Sequence, residues 1–441
     1  MSDQQPSAIH KQRREQYMQA MGDNAVAVIC SPAEATRNGD VHHPFRQSSD
    51  LFYLTGFAEQ QTTLVLRPGA EKDRFVLFVR PRDPERETWD GRRAGIKGAM
   101  DRYGADAAYS VDELDDRLIK LVANHDDLYY SVGLDEAVDA QMMAMIAQLR
   151  MHARRGKRPP KRIVDPAEVL HEMRLLKSPD EIAIMRKAAD ITVDAHIEAM
   201  KAAREGVGEH ELEALVNYTF RKNGGSGPGY NTIVGSADNA TILHYIENDR
   251  VAHDGELVLI DAGCEYEHYT ADVTRTFPVS GSFTDAQRGV YEAVLAAQIA
   301  GIEMTKPGVT IDDIHERTVE LLTQGLVDLG LLEGPAAERI EDESYKRYYM
   351  HRTSHWLGMD VHDVGAYTNG DTPRPLEPGM VITIEPGLYI AADCEEAPEE
   401  FRGIGIRIED DILVTDGGYE VLTSGAPKTV SDVERICQSG L

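Results

Sequence analysis

The sequence predicts a two-domain protein of mixed α/β and α+β class. A mixed α/β domain is expected over residues 1–174. A second domain over 175–441 is expected to hold two related halves around a curved, largely antiparallel sheet. Three observations carry this expectation. The chain has 441 residues, 42% of them hydrophobic, which is more than one core usually organises. Its first third alternates short β-type runs with polar, helix-prone stretches. The remainder repeats the same helix and strand signatures twice.

In the first domain the β-type runs are NAVAVIC (24–30), TTLVLRP (62–68) and RFVLFVR (74–80). HARRGKRPPKR (152–162) is basic, and its Pro159-Pro160 pair favours extended backbone, as in a connector or surface loop. A new helix opens at Ser178-Pro179-Asp180-Glu181, an N-cap serine with proline at the first helical position and a glutamate that completes a capping box. Ile182, Met185, Ala189, Val193 and Met200 follow at helical spacing until Gly206 closes the element. The pattern then recurs. Thr284 to Gln287 repeats the capping box, and Pro307-Gly308-Val309 repeats Glu205-Gly206-Val207. Gly255 to Asp261 (GELVLID) matches Gly379 to Glu385 (GMVITIE), glycine to carboxylate at one spacing, and Asp272 precedes VTRTFPV as Glu409 precedes DDILVT. Two such halves, related by a pseudo-twofold axis, would each bring two carboxylates to the centre. Helices would cover one face of the sheet and leave those carboxylates on the other.

A formal charge of -29 excludes nucleic acid and anionic membranes as natural partners. The four cysteines, Cys30, Cys264, Cys394 and Cys437, show no paired spacing, so neither a disulfide framework nor a structural zinc site is expected. MSDQQPSAIHKQRREQYMQ lacks the apolar stretch of a signal peptide, and no apolar run reaches bilayer length. The expected compartment is the cytoplasm.

The chemistry concentrates in five residues on separate strand-like segments: Asp261, Asp272, His355, Glu385 and Glu409. Any one alone is best read as a helix cap or an arginine partner. All five together are better explained by bound cations, because a carboxylate at the end of a buried strand is costly without compensation. Four carboxylates and one imidazole exceed a single zinc site and suit two hard divalent ions, with oxygen ligation favouring Mn²⁺ or a similar ion. Two such ions sharing ligands point to hydrolysis. His244, His351 and His362 lie close by in sequence and are candidates to hold a substrate or a developing oxyanion, although each alone reads as a structural histidine. Arg407 and Glu409 alternate with isoleucines in GIGIRIE, so period-two geometry places both on one face of one strand. That arginine orients the ligand, touches substrate, or does both. NGGSGPGY (223–230) lacks the lysine and hydroxyl of a phosphate loop and reads as the approach to Tyr230.

YNTIVGS, ILHY, LVLIDAGCEY, DVTRTFPV, SHWLGMDVHDVG, LEPGMVITIEPGLYI and GIGIRIEDDI, in this order, resemble the metal-dependent pita-bread peptidases and, among them, the bacterial aminopeptidase P (Xaa-Pro aminopeptidase) family. FRQSSDLFYLTGF (45–57) resembles the N-terminal domain of that family. The resemblance implies a pita-bread catalytic domain and removal of the first residue from peptides with proline second. It implies two Mn²⁺ per subunit, with Co²⁺ or Zn²⁺ as alternatives. Asp261, Asp272 and Glu409 would hold one ion and Asp272, His355, Glu385 and Glu409 the other. It further implies an acid/base role for Glu385, substrate-steadying roles for His244 and His362, and a proline pocket at Tyr230, His351 and Arg407. Trp89, in ETWDG, matches a loop that reaches a neighbouring subunit, so a homo-oligomer, tetramer or dimer, is expected. Arg352-Thr353 departs from the family pattern and bears on substrate preference. Prolidase, acting on Xaa-Pro dipeptides, is the nearest alternative, and a catalytically silent pita-bread binding module is the alternative from another class. A methionine aminopeptidase would leave the first domain unexplained, and a creatinase-type enzyme would not need the five ligand positions.

Overall fold

In a computed structural model of the protein, which describes residues 8–440, the chain forms two compact units, Met1–Glu172 and Met173–Leu441. The first is built on six strands: β1 Ala25–Cys30, β2 Thr63–Leu66, β3 Phe75–Val79, β4 Ala107–Ser110, β5 Asp127–Tyr129 and β6 Arg162–Val164. Their order is β4-β3-β2-β1-β5-β6. The β1–β2 and β2–β3 pairs are antiparallel, and the outer pairs are parallel. Val26, Val28, Val65 and Phe78 pack with Met142, Ile146 and Leu149 of helix α1, Glu136–His152, to make its core. The basic segment 152–162 is an exposed surface loop leading into β6, inside this unit. It is not a connector between the units, because Arg162–Val164 still completes the sheet.

The second unit repeats itself. In its first half α2 (Pro179–Ala202) and α3 (Glu209–Lys222) precede β7 (Ile233–Ser236), β8 (Leu257–Asp261), β9 (Cys264–Tyr266), β10 (Tyr269–Thr270) and β11 (Thr274–Pro278). In its second half α4 (Asp285–Met304) and α5 (Ile311–Asp328) precede β12 (Val381–Ile384), β13 (Gly387–Ile390), β14 (Ile404–Arg407) and β15 (Asp410–Thr415). Both long helices begin with the capping boxes read from sequence, at Ser178/Glu181 and Thr284/Gln287. Each is followed by a positive-φ glycine, Gly206 at 82° or Gly308 at 91°, that turns the chain into the shorter helix.

Each half contains one antiparallel ribbon that is broken in the middle. Asp261 pairs with Thr274 on one side of the first break, and Glu265 pairs with Thr270 on the other. Ile384 pairs with Asp410 and Gly387 with Arg407 across the second break. The ribbons lie side by side, with Glu409 N–H donating to the Thr274 carbonyl (3.1 Å) and Arg407 N–H to Thr276 Oγ1 (3.2 Å). All four carboxylates therefore flank the breaks, where backbone leaves the regular ladder. The expected single strand through residues 404–409 is corrected accordingly: β14 ends at Arg407, and pairing changes partner at Ile408-Glu409.

Helix α2 is tied to the first break through His196, which is fully buried and bonds the Ala262 carbonyl from Nε2 (3.1 Å). Burial pushes its pKa down to about 4, so the native state holds it neutral while the unfolded chain binds a proton below about 6.5. The native state loses this advantage as pH falls from about 6.5 to about 4, amounting to about 3 kcal/mol at 1.36 kcal/mol per pH unit. In urea unfolding with chelator present, wild type should lose about that much more stability over this interval than His196→Gln. Parallel curves would show that His196 is not a buried neutral base.

Candidate metal centre and active site

Asp261, Asp272 and Glu409 are buried, and His355 and Glu385 are partly buried beside them. One oxygen each from Asp272 and Glu409 and one nitrogen of His355 lie within 4.8 Å of one another, close enough to share a cation. His355 Nε2 is 3.4 Å from Asp272 Oδ2 and 3.5 Å from Glu385 Oε1. Its Nδ1 lies 3.0 Å from the Trp356 carbonyl. Donation there leaves Nε2 as the ligand atom, the usual arrangement for a metal-binding imidazole.

The electrostatics fit a cation. Burial drives the Glu409 carboxyl far above the usual range, and the charges of Asp272, Glu385 and Asp261 add to the effect. Burial also raises Glu385 to about 7 against the opposing pull of His355, with Asp272 adding to the rise. Asp272 is raised by burial and by Asp261 despite its hydrogen bond to His355. Asp261 is held low, because Arg407 and Tyr230 outweigh the burial that opposes its charge. Burial disfavours charge on His355, but the hydrogen bond to Asp272 and the charges of Glu385 and Asp272 push it up to about 9. The Tyr230 hydroxyl bonds both Asp261 Oδ1 (2.6 Å) and Asp272 Oδ1. One hydroxyl proton serves only one carboxylate, so further positive charge, either protons or metal ions, must hold the pair together.

The surrounding side chains aim these ligands. Arg407 donates to Asp261 Oδ2 (2.6 Å), Tyr389 OH (3.0 Å) and Thr274 Oγ1 (3.1 Å), and Thr274 donates to Glu409 Oε2 (2.7 Å). This geometry fits the ligand-orienting reading of Arg407, and the residue also lines the cavity, as substrate contact would need. Tyr389 OH continues the chain to His351 Nε2 (2.8 Å). His351 is held neutral, its pKa lowered to about 3 by burial and by Arg407. Asp411 accepts the Asp272 N–H (3.2 Å), and Arg275 with Lys428 neutralises Asp410 (2.7 and 2.8 Å). Thr383 Oγ1 accepts the His355 N–H (3.2 Å) and lies 3.4 Å from Glu385 Oε1, and sequence reasoning missed Thr274, Thr383, Tyr389 and Asp411. The first two were within reach, because each stands two residues from a ligand carboxylate and so shares its face.

A cavity of about 820 Å³ opens onto the ligands. Tyr230, His244, His351, His362 and Arg407 line it together with the five ligand residues. His362 meets His355 edge-on, ring centroids 4.5 Å apart, and burial and the neighbouring imidazoles lower its pKa. Its neighbour Asp363 pairs with Lys177 (3.0 Å) and Arg174 (2.6 Å), all three buried. Arg352 pairs with Asp312 at the rim, and Thr353 turns inward to Tyr349 (2.6 Å) and His315 (2.8 Å). Trp89 lies in the first unit on the short helix Pro84–Asp90 and is 88% exposed.

Fold and site together define a metallopeptidase. Residues 183–416 match metallopeptidase family M24, and residues 10–130 match the aminopeptidase P N-terminal domain. The chain is 44% identical over 427 residues to the Xaa-Pro aminopeptidase of Escherichia coli (strain K12), covering 97% of this chain and 96% of that protein. It is 37% identical over 431 residues to Xaa-Pro aminopeptidase 3 of Homo sapiens, covering 96% and 83%. Pseudomonas aeruginosa aminopeptidase PepP superposes with a TM-score of 0.97 at 47% identity, covering 100% of this chain and 99% of that one. Zn-substituted E. coli aminopeptidase P in complex with product gives 0.96 at 42% identity, with 100% and 99% coverage. The chain belongs to metallopeptidase family M24 and, within it, to the aminopeptidase P group.

A cation that binds only the folded state raises stability by mass action, about 2.7 kcal/mol at a hundredfold excess over Kd. Adding Mn²⁺ to metal-stripped protein should therefore raise Tm by roughly 5–10 °C. Asp272→Asn should abolish the rise. An undiminished rise in that variant would remove Asp272 from the ligand set.

Proposed function

We propose that this protein is an Xaa-Pro aminopeptidase that removes the first residue from peptides carrying proline in second position. The observation that carries the reading is the convergence of four carboxylates and His355 on one cavity, in a chain related over nearly its whole length to enzymes of that name. Asp261, Asp272, His355, Glu385 and Glu409 are the proposed metal ligands. Two Mn²⁺ per subunit is the preferred content, with Co²⁺ or Zn²⁺ as alternatives. A homotetramer or dimer in the cytoplasm is proposed with it. Among the described residues no helix is long and apolar enough to cross a membrane.

When bound, the divalent ions polarise the scissile carbonyl and lower the pKa of a water molecule. The protein's residues do the rest. Glu385, buried and shifted towards neutrality, takes the proton of the attacking water and returns it to the proline nitrogen as the C–N bond breaks. That return is needed because the nitrogen leaves as an amine only once protonated, and the tertiary Xaa-Pro amide differs from other peptide bonds in carrying no hydrogen of its own there. His362, kept neutral, and His244 donate to the substrate and to the oxygen that gains charge. His351 and Tyr230 wall the pocket for the proline ring, and Arg407 keeps Asp261 and Tyr389 in place. Trp89 is assigned to a neighbouring subunit's site in the oligomer.

Metal-stripped protein should regain release of the first residue from an Xaa-Pro-Xaa tripeptide when Mn²⁺ is added, with little cleavage of an Xaa-Pro dipeptide. Glu385→Gln should lower kcat by roughly 10²–10⁴. Preference for the dipeptide makes the protein a prolidase. No turnover of either peptide with metal bound refutes the substrate assignment.

A further inference from the structure

Resting on that reading, we propose that Glu209 is a positioning residue for the reaction, one that fixes the loop presenting His244 to the substrate. His244 is exposed on the cavity wall, and its ring makes no hydrogen bond to another described residue. Its place is therefore set by the backbone of the segment 237–249, which also brings Leu243 and Ile246 to the wall. That backbone is not at rest by itself. Ala237 and Asn248, at either end, both hold a φ of 49°, a left-handed conformation that costs an alanine about 1–2 kcal/mol.

Glu209 is the first residue of α3 and is 0% exposed. Its carboxylate gathers both ends of the segment. Oε1 accepts from Ser236 N (2.6 Å), Ser236 Oγ (2.7 Å) and Asn239 Nδ2 (3.2 Å). Oε2 accepts from the Arg250 N–H (2.9 Å) and faces the hydroxyl of Tyr245, next to His244 (2.9 Å), a hydroxyl that also lies 3.0 Å from Asp249 Oδ1 and accepts the Asp249 N–H (3.3 Å). Glu209 N–H donates in turn to the Arg250 carbonyl (2.9 Å). Arg250 clasps Glu256 through two contacts of 2.6 Å, so the exit of the loop is anchored beyond the carboxylate as well. A buried carboxylate that receives this many donors is stabilised by them, and no apolar or amide side chain of its size can replace it, because both oxygens must accept. The link to chemistry runs from Glu209 through Tyr245 to His244.

The test combines a double-mutant cycle with an exchange measurement. Tyr245→Phe removes the hydroxyl that joins Glu209 to the segment, together with its contacts to Asp249, and leaves the other Glu209 donors; Glu209→Gln places an amide donor against donors, and Asp249→Asn serves as the control for the Asp249 contact. With an Xaa-Pro-Xaa tripeptide and Mn²⁺, Tyr245→Phe should lower kcat about tenfold with KM little changed. In a His244→Ala background the same change should cost less than twofold, since its effect passes through the ring already removed. Hydrogen exchange followed by mass spectrometry should show faster exchange in 237–249 for Tyr245→Phe and Glu209→Gln, with α2, α3 and the two ribbons unchanged. Equal losses in both backgrounds, full activity in Tyr245→Phe, or unchanged exchange in 237–249 would overturn the proposal. Absence of Xaa-Pro hydrolysis in wild type counts against the function itself, and the exchange result then decides alone whether Glu209 fixes the segment.

Discussion

Mutual repulsion among four carboxylates in one cavity is the constraint to which the second unit answers. Asp261, Asp272, Glu385 and Glu409 stand where two β-ribbons break. The register already favours one face: Asp261 pairs with Thr274, two residues from Asp272, and the Ile384–Asp410 pair aligns Glu385 with Glu409. Glu409 also lies beside Thr274 where the ribbons meet, which brings the two pairs of carboxylates together at the breaks. Within the chain, Arg407 offsets the charge of Asp261 and Tyr230 bridges the two aspartates, which leaves the rest to protons or bound cations. Asp410 and Asp411, adjoining Glu409, are handled separately: Arg275 and Lys428 neutralise the first, and the second accepts the Asp272 N–H.

The unit thus divides its labour by stiffness. Metal-ligand candidates sit on or beside paired strands, where precision is greatest. The histidines proposed to handle substrate sit on loops, and each loop is pinned by buried charge. Asp363, beside His362, is held between Lys177 and Arg174. The His244 segment is gathered by Glu209. Removing one partner of such a buried charge leaves the other uncompensated, at a cost of about 3–5 kcal/mol for a buried ion pair.

Much of the fold was legible because its signals are local. Ser178/Glu181 and Thr284/Gln287 mark helix starts through backbone donors that any helix must satisfy, and both capping boxes form. The match of Gly255–Asp261 to Gly379–Glu385 revealed the internal repeat, since equal spacing from turn to carboxylate places equivalent residues alike. The reading failed where pairing, rather than pattern, decides. GIGIRIE alternates as one strand would, yet its partner changes from β13 to β12 at Ile408-Glu409. The prolines and basic residues of 152–162 left connector and surface loop open, and only the pairing of Arg162–Val164 with β5 decides for the loop.

The sequence by itself determined which residues could bind hard cations and how they recur in two halves, and its motifs resemble those of the metal-dependent peptidases. The first two follow from side-chain chemistry and short-range periodicity, which need no partner to be expressed. Only the tertiary structure decided what lies behind each ligand. Arg407 faces Asp261 across 146 residues, Thr274 reaches Glu409 across 135, and Tyr389 joins Arg407 to His351. Such contacts depend on how two ribbons dock side by side. Docking is a collective result of packing over the whole unit, and no local stretch of sequence records it.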